Sequence, residues 1–247
     1  MRRVSMLLLA AILLAACTDR NVSVKITGNI KDGGNRMIRL ALIAAEGMEM
    51  IDSTTMKNGQ FEFKISSDNE LIKERENAPM LFQLFLSEDN CMSTMAKKGE
   101  HLTITADAQD LVRTYQVSGG EEAILMHQLD SALTVFAIAA EELFKPYEKN
   151  LYNDSVKAAI EAIYMPMVEK HRKYLENFIN NHPSNMVSYI AFYQSYNNRT
   201  FFDPLQDLDL LKKINANMSK VYPESEYVKT MIHVADMMEQ RMQMIRQ

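Results

Sequence analysis

Met50-Ile51-Asp52-Ser53-Thr54-Thr55-Met56-Lys57-Asn58-Gly59-Gln60-Phe61-Glu62-Phe63-Lys64-Ile65 decides how the first half of this 247-residue chain is read. Phe61, Phe63 and Ile65 alternate with Glu62 and Lys64, so a strand here turns one apolar face to a core and one charged face to water. Asn58-Gly59 stands between two such runs. An Asn-Gly pair accepts the positive φ that a tight turn demands at both central positions. The stretch is therefore predicted to be a β-hairpin, with residues 50–56 leading into residues 61–65.

The same period of two extends outward. Upstream, Val22, Val24 and Ile26 alternate with Ser23, Lys25 and Thr27. Lys31-Asp32-Gly33-Gly34-Asn35 has the composition of a turn, residues 37–44 follow as a second strand, and a loop is expected around Gly47. Downstream, residues 68–79 are a charged excursion, read as a loop or one helical turn. Strands are predicted at 80–86, 91–96 and 101–106, with 111–117 closing the set. Seven or eight short strands at this spacing point to an antiparallel β-sandwich or open barrel over residues 22–119.

After Gly119-Gly120 the period changes. Leu125, Leu129, Ala132, Phe136, Ala140 and Leu143 recur at three and four, the stripe of a helix that Pro146 ends or bends. A second helix is expected from Asp154-Ser155, either of which could cap it, with a kink at Pro166. Asn181-His182-Pro183-Ser184 stops it, and Ser184 is expected to cap a segment over 186–196. Asn197-Asn198-Arg199-Thr200 breaks the chain again, a helix over 205–218 follows, and Ser225 caps the last one. In that last helix Val228, Met231, Ala235, Met238, Met242 and Ile245 form a heptad seam, read as a face packed on helical neighbours or as an interaction seam. The fold class is thus α+β: a sandwich or barrel at 22–119, then a helical domain at 120–247.

Composition narrows the function. The formal net charge of −5 and the lack of a clustered basic face exclude a nucleic-acid partner. There are two cysteines, Cys17 and Cys91, and no C-x-x-C, so no cysteine-based zinc cluster and no redox pair can be drawn.

At the start of the chain, Arg2 and Arg3 precede a short apolar run that ends Leu14-Ala15-Ala16-Cys17. Charge, short run and small residues before a cleavage point are the parts of a secretory signal peptide, and the run is well under the ~20 residues of a spanning helix. Its end resembles the lipobox of bacterial lipoproteins. The resemblance implies a signal peptide at 1–16, acylation of Cys17, palmitate among the acyl chains, and a lipidated tether at 17–21. It also implies a location in the cell envelope, at the outer membrane rather than the inner, with the membrane and an envelope protein as partners.

A second resemblance rests on a strand ending in Gly28, on Ile51-Asp52-Ser53-Thr54 ahead of Asn58-Gly59-Gln60-Phe61-Glu62-Phe63, on Val117-Ser118-Gly119, on His182-Pro183-Ser184 and on Tyr222-Pro223-Glu224-Ser225-Glu226-Tyr227. Together these look like the uncharacterised lipoprotein domain that commonly precedes a thioredoxin-like domain in thiol–disulfide interchange lipoproteins. In such proteins the redox domain begins beyond the last helix, whereas this sequence ends at Gln247, so none of that domain's catalytic residues has a counterpart here.

Candidate chemistry is sparse. His101, His127, His171, His182 and His233 show no metal-ligand spacing, and His171 falls on an apolar helical stripe. Asp52-Ser53 lacks a nearby base, and a hydroxyl needs one to become a nucleophile. Glu121-Glu122 and Glu141-Glu142 read as solvated helix faces. No phosphate-cradling glycine loop occurs. The expectation is a lipid-anchored, non-enzymatic binding or scaffolding protein that needs no cofactor or metal. The alternatives are an accessory of a thiol–disulfide system and an oligomerising module using the seam of the last helix.

Overall fold

A computed structural model describes residues 22–44, 47–73, 78–147 and 153–245, together with the backbone but not the side chain of Ile245. The signal peptide, Cys17 and the tether predicted at 1–21 lie outside the described residues. Among the described residues, eight strands and two short helices come first: β1 Val22–Lys31, β2 Met37–Ala44, β3 Gly47–Thr55, β4 Gln60–Ser66, α1 Glu70–Lys73, β5 Met80–Ser87, β6 Asn90–Ala96, β7 His101–Asp107, α2 Leu111–Thr114 and β8 Gln116–Ser118. They form two four-stranded sheets, β4-β1-β7-β8 and β3-β2-β5-β6. Ile26 of β1, Phe63 of β4 and Leu102 of β7 meet Leu40 of β2, Phe82 of β5 and Met92 of β6 in one core, so the architecture is a sandwich. The residues predicted as a closing strand at 111–117 divide instead into the helical turn α2 and the short β8.

The Asn58-Gly59 turn forms, with φ of 51° and 83°. Its flanks make a single pair, Lys57 with Gln60, and then part. β3 goes on to pair with β2, and β4 with β1, so the turn carries the chain from one sheet to the other rather than closing a hairpin. It is fastened there. The Gly59 N–H donates to the Gly34 carbonyl at 2.7 Å, the Ile30 N–H to the Gly59 carbonyl at 2.8 Å, and the Asn58 N–H to Asn35 Oδ1 at 3.0 Å. Met56, fully buried, plugs the gap the crossing leaves between the sheets. The turn rule fixes a local bend; the need to oppose two apolar faces fixes which ladder each strand joins.

One pairing departs from the antiparallel expectation: β1 and β7 are parallel neighbours. The first seven strands alternate strictly up and down, so the first and seventh run the same way wherever they meet. At the other edge, β3 buries none of its residues. Glu49 and Asp52 stand opposite Leu42 and Leu40, on the core side of that edge, and a bulge interrupts the ladder between Leu40 and Ala41. Inward charges and bulges of this kind discourage a further strand from adding.

The helical half comprises α3 Glu121–Phe144, a 3-10 turn at Lys145–Tyr147, α4 Asp154–Asn181, α5 Val187–Tyr193, the two-residue strands β9 Ser195–Tyr196 and β10 Arg199–Thr200, α6 Leu208–Val221 and α7 Glu226–Ile245. Asn153, rather than Asp154 or Ser155, caps α4: its Oδ1 accepts from the Ser155 and Val156 N–H groups at 2.9 and 3.3 Å. A cap must stand one residue before the helix to reach those donors. The helix runs unbroken through Pro166. Asn197-Asn198, read as a plain break, is a tight hairpin with φ of 49° and 60°. Leu81 and Met95, on the outward side of the second sheet, join the helical core, and α3 lies along β6.

Candidate functional site

The outward face of the first sheet is polar and open. The register places Thr103, Thr27 and Glu62 in one row across β7, β1 and β4, and Thr105, Asn29 and Gln60 in the next. With Thr54, Thr55 and Lys57 at the crossing, these rows line a groove of about 540 Å³. Between Thr27 and Asn29, Gly28 leaves room for its neighbours: a Cβ there would lie 2.2 Å from the Ile104 carbonyl oxygen and 2.6 Å from the Phe61 ring.

Hydrogen bonds order one end of the groove. Thr27 Oγ1 lies 2.9 Å from His101 Nε2 and 3.3 Å from the Leu102 carbonyl, to which it can donate. Lys25 Nζ reaches Glu62 at 2.8 Å and Lys64 Nζ reaches it at 3.5 Å. The Lys25 hydrogen bond holds the Glu62 carboxyl below its usual range, so the groove's acid is ionised and largely neutralised. At the other end Lys31 bridges to Asp107 at 3.2 Å. Hydroxyls, two amides and a balanced ion pair can bind a neutral polar chain by many modest hydrogen bonds.

The residues singled out from the sequence lie elsewhere. Val228 and Ala235 of the α7 seam are buried, and Met231, Met238 and Met242 are half-buried against the helical core, where α7 packs on α6. The side chain of Ile245 and the whole of Cys17 fall outside the described residues. Cys91 is half-buried and accepts from Gln83 Nε2 at 3.2 Å; burial pushes its thiol above the usual value, so it is a weak nucleophile. Asp52 Oδ1 accepts from the Ser53 N–H at 2.7 Å, an ordinary strand-edge contact. Among the described residues no three His, Cys, Asp or Glu side chains gather as a metal site.

One ion pair escaped sequence reasoning, while one histidine is buried on the apolar stripe where the sequence put it. Glu122 is not a solvated helix residue: it is 1 % exposed and paired with Lys97 at 2.5 Å, with Asn185 Nδ2 3.3 Å away. His171 is buried against Phe136 and Phe201, with its Nε2 2.7 Å from Gln194 Oε1, and desolvation lowers its pKa. The groove itself escaped as well, since Thr27 and His101 are 74 residues apart and only the parallel β1–β7 pairing joins them. No short-range signal carries that.

Residues 24–126 match the family model of a domain of unknown function, DUF4369. The match covers the sandwich and ends within the first turns of α3. No curated protein matches the chain.

Proposed function

We propose that the chain is a lipid-anchored, non-catalytic envelope protein that binds a neutral hydroxyl- or amide-bearing ligand in the groove of its first sheet. The groove carries the reading: its rows lie toward the end of the sandwich opposite the start of β1, and hence opposite the tether read at 17–21. An anchor at one end leaves that groove facing away from the membrane. Mass analysis of the native protein's amino-terminal peptide tests the anchor, with acylated Cys17 expected. Binding is tested by retention of the protein on immobilised envelope oligosaccharides, and by its loss in the double variant Thr103→Val/Thr105→Val, which keeps the strand propensity and removes two hydroxyls. Unchanged retention in that variant, or a turnover depending on one polar residue of the mature chain, overturns the reading.

The resemblance carried by Ile51-Asp52-Ser53-Thr54 ahead of Asn58-Gly59-Gln60-Phe61 is behind a second reading, that of an accessory in a thiol–disulfide interchange system. With Cys91 half-buried and its thiol pushed up, electrons would pass between sulfurs of a separate thioredoxin-like partner. A reading frame for such a partner beside this gene is expected on this reading, and an unrelated neighbour weakens it.

A further inference from the structure

The two ends of the sandwich differ, and the difference bears on how the protein sits on a membrane. Several contacts place the start of β1 at the same end as the close of β2 and the opening of β3. The Gly99 N–H donates to the Ser23 carbonyl; Ala96, at the close of β6, pairs with Met80; Leu81 pairs with Ile43; and Ile43 pairs with Met48. On the outward face at this end, Met48 and Met50 are 55 % and 50 % exposed. Met37 is 58 % exposed on the same face but at the opposite end, where it pairs with Thr55.

Resting on the reading of Cys17 as the lipid anchor, we infer that the Met48–Met50 end of the second sheet lies against the bilayer that holds the acyl chains. The length of chain before the sandwich argues for this occupant. From Cys17 to Val22 there are five peptide steps, which span at most ~18 Å however they run. That reach cannot lift the β1 end clear of the headgroup region, whose apolar boundary takes up exposed side chains to a depth of ~5–10 Å. Flexible, unbranched methionines suit such a boundary. Near this end Lys73 lies 3.9 Å from Glu70, and Lys98 Nζ donates to the Lys73 carbonyl at 3.1 Å and keeps its charge. The contact itself rests on the apolar side chains of Met48 and Met50.

A competing apolar patch, Val135 and Ile138 of α3 with Ile163 of α4, is out of reach. α3 starts beside His101 at the anchor end, against which Gly119 packs, and rises ~1.5 Å per residue toward the Arg113–Glu141 ion pair beside α2 at the far end.

The chain has no tryptophan, so a single introduced indole reports its own surroundings. The full acylated protein, carrying Met48→Trp or Met37→Trp, is reconstituted in phosphatidylcholine vesicles with and without brominated lipid. Met48→Trp should show blue-shifted emission that brominated lipid quenches strongly, and Met37→Trp should keep its emission. Equal quenching at both positions, or none at 48 in protein whose Cys17 is shown by mass to be acylated, overturns the orientation and leaves the anchor standing. Emission at 48 that shifts with protein concentration and not with lipid assigns the face to a second copy of the chain and overturns the inference. An unacylated Cys17 overturns the anchor, and the orientation falls with it.

Discussion

The sandwich and the helical half are built on different physics. Nearly every large side chain inside the sandwich is hydrocarbon or thioether, and the buried hydroxyls of Ser23 and Thr94 have no partner among the described residues. Inside the helical half, polar side chains pair across long separations: His171 with Gln194, Tyr189 with Asn215 at 2.8 Å, and Arg172 with Asp207 and with the face of Phe202, although the buried Tyr193 hydroxyl has no partner among the described residues. The first region is held by shape, the second by shape and specific hydrogen bonds. Changes of volume should therefore damage the sandwich equally at every pH, whereas the helical half should respond to protonation.

Phe63→Ala gives the largest expected effect. Phe63 is fully buried beside Phe61, and truncating it removes transfer free energy and leaves a cavity, at a cost of ~3–5 kcal/mol in urea unfolding. That loss should be the same at pH 5 and pH 8. A loss that varies with pH would mean that the sandwich depends on a titrating group after all, and the contrast between the halves would fail.

Next comes Gly59→Ala. Gly59 has φ of +83°, and an added Cβ would lie 2.2 Å from the Ile30 carbonyl oxygen, a backbone atom that cannot rotate away. We expect ~2–3 kcal/mol of destabilisation from backbone strain and from the displaced bonds that fasten the crossing to the Ile30–Asn35 turn. A loss below ~1 kcal/mol, the cost of an ordinary exposed turn residue, would show that the crossing is a passive linker and not a determinant of the two-sheet arrangement.

Asp130→Asn sharpens the other side of the comparison. Asp130, on α3, accepts from the Tyr115 hydroxyl at 2.6 Å, and burial raises its pKa from 3.8 to about 6. Between those values the unfolded chain gives up the proton while the folded chain keeps it, so stability falls as pH rises through this window and levels off above it. An amide oxygen can still accept from Tyr115. The variant should therefore be more stable than the parent at pH 7, by on the order of 1–2 kcal/mol, and indistinguishable from it near pH 4. His171 acts in the opposite sense. Its pKa is lowered from 6.5, so acidification below that value protonates the unfolded chain first and removes stability.

How much of this was legible in the sequence follows from range. The alternation of Phe61, Phe63 and Ile65 and the turn at Asn58-Gly59 are local signals, and both form as read. The partner of each strand is not local: the same run was consistent with a hairpin, and only the opposition of the two sheets sends β3 and β4 apart. The α3 stripe and its end at Pro146 were visible in the period of the apolar residues. Glu122 was misread because charge on a first helical turn looks solvated until Lys97, from the loop between β6 and β7, is placed against it. The groove was invisible for a related reason. Thr27, Glu62 and Thr103 are unremarkable outward strand residues until the register aligns them.

The smallest effect is the most discriminating for the sandwich, because its sign is reversed. Thr94, on β6 opposite Phe82, is fully buried and its Oγ1 has no partner among the described residues. Thr94→Val keeps the branched shape and the strand propensity while replacing an unpaired hydroxyl by a methyl. A buried polar group without a hydrogen bond costs more than the apolar group that replaces it, so the variant should gain ~1 kcal/mol, read as a higher urea midpoint with an unchanged slope. If Thr94→Val lowered the midpoint instead, the hydroxyl would have to be held by a bound water. The sandwich interior would then need the kind of polar pairing that otherwise marks the helical half.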